Sequence, residues 1–254
     1  MRKLEPEDIR GAERMAYMLV YAPVDGSYNV PVPSDTLFQK QMFMLSRRQE
    51  TGLRFTSWKY GPFSKELFDA MNINKKQENL VRIPEKKFGL ALADKKINEA
   101  KSLWGSVDES TRGHMVAVKG FMNDMDYREA ASYIYSIYPE FTKKSETYED
   151  YCKYRVEAAC PLLLKRKTTL AQSATVACMP YVDFVDMVRD GEIPEYIEHA
   201  GGLSSLVREI ASGEKRTWPR AARFTGPAGA GRMPRGPAAG THVGSPARRA
   251  RPRG

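Results

Sequence analysis

Apolar side chains recur at helical spacing in several short segments of the chain, many of which end at glycine or proline. Met15, Met18 and Leu19 show this spacing and predict a first helix near residues 6–22, followed by a turn that begins at Pro23. No stretch reaches the roughly 20 apolar residues that a membrane-spanning helix needs. The pattern therefore predicts a mainly α-helical protein and disfavours a membrane protein.

A second helix and an extended segment are predicted next. Ser34 or Asp35 can accept hydrogen bonds from the free N–H groups at the start of this helix. One face of the helix carries Leu37, Phe38, Gln41, Met42 and Leu45. Residues 53–60 alternate in the manner of a short extended segment.

A third helix follows a glycine–proline pair. Gly61 and Pro62 predict a turn, and Ser64 can cap the helix that comes after it. The residues that this helix is predicted to bury are Leu67, Phe68 and Met71.

Residues 80–92 predict two strands around a basic turn, and a further helix follows. Helix, helix, extended segment, helix and two-stranded ribbon is the order of a winged helix-turn-helix, which we predict for residues 1–106. In that fold one helix enters the major groove of DNA and the ribbon touches its backbone. Lys86 and Lys87, at the predicted ribbon tip, are therefore candidate phosphate contacts.

The third helix has side chains that suit two kinds of partner. Lys65 and Asn72 are candidate contacts to base edges. Glu66 and Asp69 lie on the same helix and repel phosphate, and winged modules also bind proteins. DNA contact and protein contact both stay open for this face, because a fold does not determine a function.

Three segments resemble a known family. Residues 37–45 (LFQKQMFML) and 60–67 (YGPFSKEL) resemble the LQKLLF and YGP…EL signature of Panacea (SocA-like) antitoxin-type domains and their archaeal and bacterial relatives. Residues 131–145 (ASYIYSIYPEFTKKS) resemble the segment YVYSKYPEYTKKS of those relatives. The resemblance covers about residues 12–148 and departs from the family at Gln41, where leucine is usual. It implies a winged-helix-like fold and a role in toxin neutralisation or regulation, and it supplies no catalytic residue.

Residues 107–147 are predicted to form a helical connector. One face of its last helix carries Tyr133, Ile134, Ile137 and Tyr138. A stripe of this kind is more typical of a core, or of an oligomer seam such as that of a homodimer, than of a platform for stacked bases.

Residues 148–212 predict a second helical unit with the layout of a helix-turn-helix. A first helix over residues 169–177 is followed by a turn, and Pro180 starts the second helix. The residues that the second helix is predicted to bury are Val182, Phe184, Val185 and Val188. Tyr181 lies on its exposed side and is a further candidate base contact.

This unit resembles small prokaryotic antitoxin-like proteins with the sequence KISLGKAAELAGMSLWEFLELLRERGI. Those proteins have glycine where this chain has Cys178, and serine where it has Pro180. Just before the unit stand Lys165, Arg166 and Lys167, which are candidate contacts to DNA phosphates. Three consecutive basic residues are also typical of a solvated helix end, so both interpretations stay open.

The net charge of +9 arises in the last 40 residues. Residues 215–254 contain ten basic residues and no acidic one, whereas residues 1–214 contain 30 basic and 31 acidic residues. Ala, Gly and Pro supply 21 of those last 40 residues, so we predict a disordered tail over residues 213–254. The tail is either a basic arm for nucleic acid or an extension without function. Any nucleic-acid surface of the remaining chain must be local.

No catalytic or cofactor motif is present: the sequence has no Walker-type loop, GxSxG elbow, HExxH or paired CxxC. We therefore predict no enzyme, no cofactor and no metal site. Glu195 and His199 are four residues apart, as metal ligands on a helix are, but lack an evident third ligand. Asp124, Asp126 and Glu129 are predicted to lie at a helix start, where acids meet the positive end of the dipole.

Three cysteines are too few and too irregularly spaced for a disulfide framework. The charged segment from Met1 to Arg10 lacks the apolar block of a signal peptide. Both features predict a cytoplasmic, reduced protein.

Together these features predict a prokaryotic DNA-binding transcriptional regulator or antitoxin-type protein that acts by binding. DNA, a cognate toxin and a second copy of the chain are its candidate partners. The alternative is a protein-interaction module that neutralises a toxin, or delivers a partner to a protease, without contacting DNA.

Overall fold

The computed structural model of the protein describes residues 6–83 and 89–190. Within these residues the chain is mainly helical, as predicted, with two short antiparallel strand pairs. The helices are α1 (Pro6–Tyr21), α2 (Asp35–Ser46), α3 (Lys65–Lys76), α4 (Asp94–Ser106), α5 (Glu109–Met122), α6 (Tyr127–Ile137), α7 (Tyr148–Lys153), α8 (Arg155–Leu164), α9 (Leu170–Ala177) and α10 (Tyr181–Asp190). The strands are β1 (Thr56–Trp58), β2 (Gly61–Phe63), β3 (Leu80–Ile83) and β4 (Gly89–Leu92). The predicted 213–254 tail lies outside the described residues.

Side-chain caps begin several helices at the residues that the sequence indicates. Ser34 and Ser64 accept hydrogen bonds from backbone N–H groups in the first turns of α2 and α3, at 3.1 and 3.3 Å. Asp126 and Glu129 form a reciprocal capping box at the start of α6, which confirms the predicted helix start. Each cap of this kind is worth about 1 kcal/mol and needs only local sequence to form.

Helix α2 is enclosed by the rest of the fold. Every residue from Leu37 to Leu45 is buried, and the helix packs against α5, α6 and β2. A helix buried all round must find internal partners for any polar side chain that it carries. Here Gln39, Lys40 and Gln41 are consecutive, buried and polar.

The first strand pair is a hairpin that differs in detail from the predicted turn. Gly61 and Pro62 lie within β2, where Gly61 pairs with Trp58. The turn itself consists of Lys59 and Tyr60. The prediction placed the turn two residues late because Gly and Pro usually mark turns, whereas here they begin the returning strand.

The second strand pair gains a partner from the α1–α2 connection. β3 and β4 pair antiparallel over four residues each. Val32, which is buried, forms two backbone hydrogen bonds with Leu90 of β4, at 2.9 and 2.8 Å. The connection is thereby held against the edge of the ribbon.

The C-terminal part of the described chain packs onto α6. Helix α8 contacts α6 and α9, and α9 contacts α10. Tyr133, Ile134 and Tyr138 are buried, so the predicted stripe belongs to the core. The predicted helices over 169–177 and after Pro180 correspond to α9 and α10, and Cys178 between them has a left-handed backbone with φ 57°.

Two side chains predicted to be buried are exposed instead. Phe68 of α3 is 45% exposed and Val182 of α10 is 63% exposed. The buried residues of α3 form a narrow stripe of Leu67, Ala70, Met71 and Asn74. In α10 the fully buried residues are Phe184 and Val188, one turn apart. Both helices therefore contact the core along a stripe narrower than their apolar composition suggested.

We predict that Gly61→Ala destabilises the fold. A Cβ at residue 61 would lie 2.8 Å from the Tyr135 ring, and φ is +95° there, a conformation that favours glycine. The free energy of unfolding, measured by urea denaturation, should fall by about 1–3 kcal/mol. Gly113→Ala in α5 is the matched control, since a Cβ there meets nothing within 4 Å. A loss in the control as large as that at residue 61 would contradict this explanation.

Candidate functional site

The predicted phosphate contacts after α8 are used within the fold. The Lys165 ammonium lies 2.8 and 2.7 Å from the two carboxylate oxygens of Glu129, and donates to the Asp124 carbonyl at 2.9 Å. The Lys167 ammonium lies 3.0 Å from the Asp124 carboxylate and donates to the Gly120 carbonyl at 2.9 Å. Both lysines therefore hold the segment between α8 and α9 against the connection between α5 and α6.

Arg166 lies between these two lysines. Its side chain is partly buried and its backbone is left-handed, with φ 56°. The cluster as a whole offers less free positive charge than its sequence suggests, because two of its three cations face carboxylates.

The candidate base contacts divide between two helices. Lys65 and Asn72 lie on α3, and Lys65 forms an ion pair with Asp69 at 2.6 Å. Tyr181 begins α10 and is 52% exposed. Lys86 and Lys87 lie outside the described residues.

An exposed aromatic surface, which the sequence interpretation missed, extends from the hairpin to α3. Trp58 and Phe68 are 48% and 45% exposed, and Phe63 stands between them, with ring centroids 5.7 Å from Trp58 and 5.5 Å from Phe68. We call these three residues the aromatic face. A signal was present in the sequence, since Leu67, Ala70, Met71 and Asn74 already complete one helical stripe and leave Phe68 outside it.

A second surface feature lies beside the strands β3 and β4. A groove of about 670 Å³ is lined by residues that include Lys75, Glu78, Arg82 and Lys95. Lys75 pairs with Asp35, and Lys95 donates to the Gln77 carbonyl at 2.7 Å. We call this the ribbon groove, and its three cations exceed its one acid.

Residues 37–45 and 60–67 are joined by hydrogen bonds. The Gln39 side chain donates to the Ser64 carbonyl at 3.2 Å and accepts from the Ser64 N–H at 3.1 Å. The Lys40 ammonium donates to the Tyr60 carbonyl at 2.6 Å and lies 5.4 Å from the centroid of the Tyr127 ring. These contacts hold the hairpin against the central helix.

Two buried lysines have lowered basicity. Burial lowers the pKa of Lys40 to about 7, and it does the same for Lys119. Lys119 donates to the carbonyls of Val20 and Ala22 at 2.5 and 2.8 Å, which satisfies the C-terminal end of α1.

The described chain contains three free cysteines and no cluster of metal-ligand side chains. No group of three His, Cys, Asp or Glu side chains in residues 6–83 and 89–190 could hold a metal ion. Glu195 and His199 lie outside that range. Cys160 is buried, and Cys152 and Cys178 are exposed free thiols.

Comparisons with known proteins yield no relative. No family model, no curated protein and no solved structure matches the chain. Across the described residues, no helix combines the length and apolarity needed to cross a bilayer.

We predict that Lys165→Ala lowers stability more than an ordinary surface substitution does. It leaves the Glu129 carboxylate, which is 4% exposed, without its cation. A loss of about 1–3 kcal/mol in unfolding free energy is expected. Lys153→Ala is the matched control, because Lys153 pairs with Asp150 while both side chains are well exposed, and it should cost less than about 1 kcal/mol. Equal losses would mean that the pair between Lys165 and Glu129 does not anchor the fold.

We predict that Lys40→Met flattens the pH dependence of stability. The pKa of Lys40 is about 7 in the folded protein, against about 10.4 in an unfolded chain. Between these values the unfolded state binds a proton that the folded state lacks, so stability rises with pH by up to about 1.4 kcal/mol per pH unit.

Denaturation at several pH values across that window measures the effect. Lys119 contributes a similar rise, so between about pH 7 and 8.5, below the pH at which the Cys160 thiol titrates in the unfolded chain, about half of the slope should remain in Lys40→Met. The exposed Lys143→Met is the control and should keep the full slope. An unchanged slope in Lys40→Met would show that Lys40 is not a buried neutral amine in this range.

Proposed function

We propose that the protein acts by binding, and that the aromatic face contacts a protein partner. The observation that supports this proposal is the exposure of Trp58 and Phe68, which Phe63 joins into one apolar surface. Aromatic side chains are enriched where protein interfaces concentrate their binding energy. Contiguous exposed apolar surface is uncommon on a protein without such a partner.

The outer side of α3 suits a protein better than it suits DNA. A helix in the major groove presents polar or basic side chains to base edges. This helix presents Phe68 and Ile73, which are 45% and 39% exposed, and its Lys65 is paired with Asp69. Glu66 adds a second carboxylate on the same helix.

The resemblance to Panacea-type domains supplies the class of partner. It implies that the chain neutralises or regulates a toxin protein in a prokaryotic cell. The segments that carry the resemblance are those that hold the hairpin, through the pairs Gln39–Ser64 and Lys40–Tyr60. The residues that carry the resemblance thereby hold in place the hairpin on which Trp58 and Phe63 lie.

Co-expression with the protein encoded beside this chain tests the proposal. We expect a complex on size-exclusion chromatography, and Trp58→Ser and Phe68→Ser should each weaken it about tenfold or more in calorimetric titration. Tyr181→Ser removes a similarly exposed aromatic ring from α10 and should leave the affinity unchanged. Failure to form a complex would contradict the antitoxin-type function. A complex of unchanged affinity in both variants would place the interface elsewhere.

DNA binding is the second candidate, and the ribbon groove favours it. Val32 pairs with Leu90, and the element order α1, Val32, α2, β1, β2, α3, β3, β4 supports the winged-helix interpretation. The groove beside this ribbon is lined by three cations, and Arg82 among them is exposed. The helices α9 and α10, with the left-handed Cys178 between them, offer a second element of helix-turn-helix type.

Specific DNA binding can be separated from attraction to the basic C-terminal residues. The full chain is titrated with a duplex from its own upstream region and with a shuffled duplex, at low and moderate salt. Attraction between the basic residues of 215–254 and DNA phosphates does not depend on base sequence. Only a preference for the upstream duplex over the shuffled duplex therefore supports a regulator. Arg82→Glu should weaken the specific complex more than Arg54→Glu, which makes the same charge change at an exposed site outside the groove lining. Equal effects would contradict DNA contact at this groove.

A further inference from the structure

The three cysteines of the chain differ in their access to solvent. Cys160, in α8, is buried, whereas Cys152 and Cys178 are exposed free thiols. Burial raises the pKa of the Cys160 thiol to about 12, so this residue stays an unreactive thiol near neutral pH. Thiol chemistry in this protein is therefore confined to Cys152 and Cys178, because the sequence contains no further cysteine.

The packing of three helices brings the two exposed cysteines to the same end of α8. Cys152 lies in α7, and the single residue Tyr154 separates α7 from α8. Five residues join α8 to α9, and helices that pack together after so short a connection run antiparallel. The end of α9 therefore lies beside the start of α8. Cys178 follows α9 directly, so it lies near the residues that join α7 to α8.

The Arg155 guanidinium is a common neighbour of the two thiols. It donates a hydrogen bond to the Cys152 sulfur at 3.4 Å and lies 4.6 Å from the centroid of the Tyr151 ring. Burial tends to lower the pKa of Arg155, but nearby ionisable hydroxyl and thiol groups, Cys152 and Cys178 among them, raise it above its ordinary value. Burial raises the pKa of the Tyr151 hydroxyl, and both thiols add a smaller increase. Both sulfurs thus lie close enough to the same guanidinium and the same ring to affect their titration.

Both cysteines also lie where the backbone can adjust. A disulfide needs its two Cα atoms within roughly 7 Å of each other. Cys152 is in the last turn of a six-residue helix, and Cys178 lies in the turn between α9 and α10, with φ 57°. Short helices and turns open at a lower cost in free energy than the core does. Local movement at these two places can therefore bring the sulfurs into bonding distance.

The exposure, placement and shared neighbour of the two thiols define a modification site. We propose that Cys152 and Cys178 form a dithiol that hydrogen peroxide oxidises reversibly to a disulfide. The Cys152 sulfur attacks one peroxide oxygen, so that an S–O bond forms, the O–O bond breaks and the thiol proton passes to the departing hydroxide. The products of this step are a sulfenic acid and water.

The second step joins the two residues. The Cys178 sulfur attacks the Cys152 sulfur, so that the S–S bond forms, the S–O bond breaks and the second thiol proton leaves with the hydroxide as water. Two thiols and one peroxide molecule thus give one disulfide and two molecules of water. The sulfurs lose the two electrons that the peroxide gains. Disulfides of this reversible kind are the ones that occur in reducing compartments.

The disulfide would tie α7 to the turn between α9 and α10. It would close a loop over residues 152–178, which contains α8 and α9, and would thereby restrict the freedom of these helices relative to one another. This goes beyond the proposed function, because neither the aromatic face nor the ribbon groove takes part.

Oxidation of the full chain with hydrogen peroxide tests the site. The protein is reduced, freed of reductant and treated with a small excess of peroxide, and its remaining thiols are alkylated. Peptide mass spectrometry without reduction should find Cys152 joined to Cys178, and Cys160 as a free thiol. The rate should not change over a tenfold range of protein concentration, because the bond forms within one chain. Dithiothreitol should restore both thiols.

Three variants assign the disulfide. Cys152→Ser and Cys178→Ser each remove one partner, so each should lose the intramolecular disulfide completely. Cys160→Ala is the matched control, since it removes a cysteine that is buried, and it should form the disulfide at the rate of the unaltered chain. Circular dichroism of all three variants checks that they fold.

Three results would overturn the proposal. The first is that Cys152 and Cys178 stay reduced, or are oxidised separately without a bond between them. The second is that disulfides form only between two chains, which a non-reducing gel shows as dimers. The third is an intramolecular disulfide that persists in Cys152→Ser or Cys178→Ser. No partner protein and no DNA enter this test, so its failure leaves the proposed function unaffected.

Discussion

The burial of α2 on all sides is the constraint on which the described structure depends. Its central residues include three consecutive polar side chains, and each of them needs an internal partner. Gln39 pairs with Ser64, Lys40 with the Tyr60 carbonyl, and Gln41 with Asn123. The Gln41 amide oxygen has no hydrogen-bond partner among the described residues. The central helix thus fixes the hairpin on one side and the end of α5 on the other.

Several lysines of the described chain are used within the fold rather than offered at its surface. Lys119 donates to carbonyls at the end of α1, and Lys167 donates to a carbonyl in the last turn of α5. Lys165 donates hydrogen bonds to the Asp124 carbonyl, just beyond α5, and to the buried Glu129 carboxylate. Helix C-termini leave carbonyl groups unpaired and carry partial negative charge, so lysines are favourable there. The aromatic face and the ribbon groove are the two surfaces on which the proposed functions rest.

Helix caps, which depend on local sequence, were predictable, whereas the exposure of individual apolar side chains, which depends on packing, was not. The caps at Ser34 and Ser64 follow from residues within one turn, and both are present in the structure. The exposure of Phe68 depends on which neighbours cover α3, and periodicity alone assigned it to the core. The same reasoning failed for Val182, because α10 meets the core along only two positions.

The amino-acid sequence alone predicts that the chain is mainly helical, where several of its helices begin, and that positive charge is concentrated after residue 214. These properties follow from propensity, capping and composition, which act over a few residues. The folded structure is needed to show which charges are neutralised, which aromatic rings stay exposed, and that Tyr127, Ser132 and Tyr154 line one cavity. The physical reason is that exposure and charge pairing are set by contacts between segments far apart in the chain, such as Lys165 with Glu129.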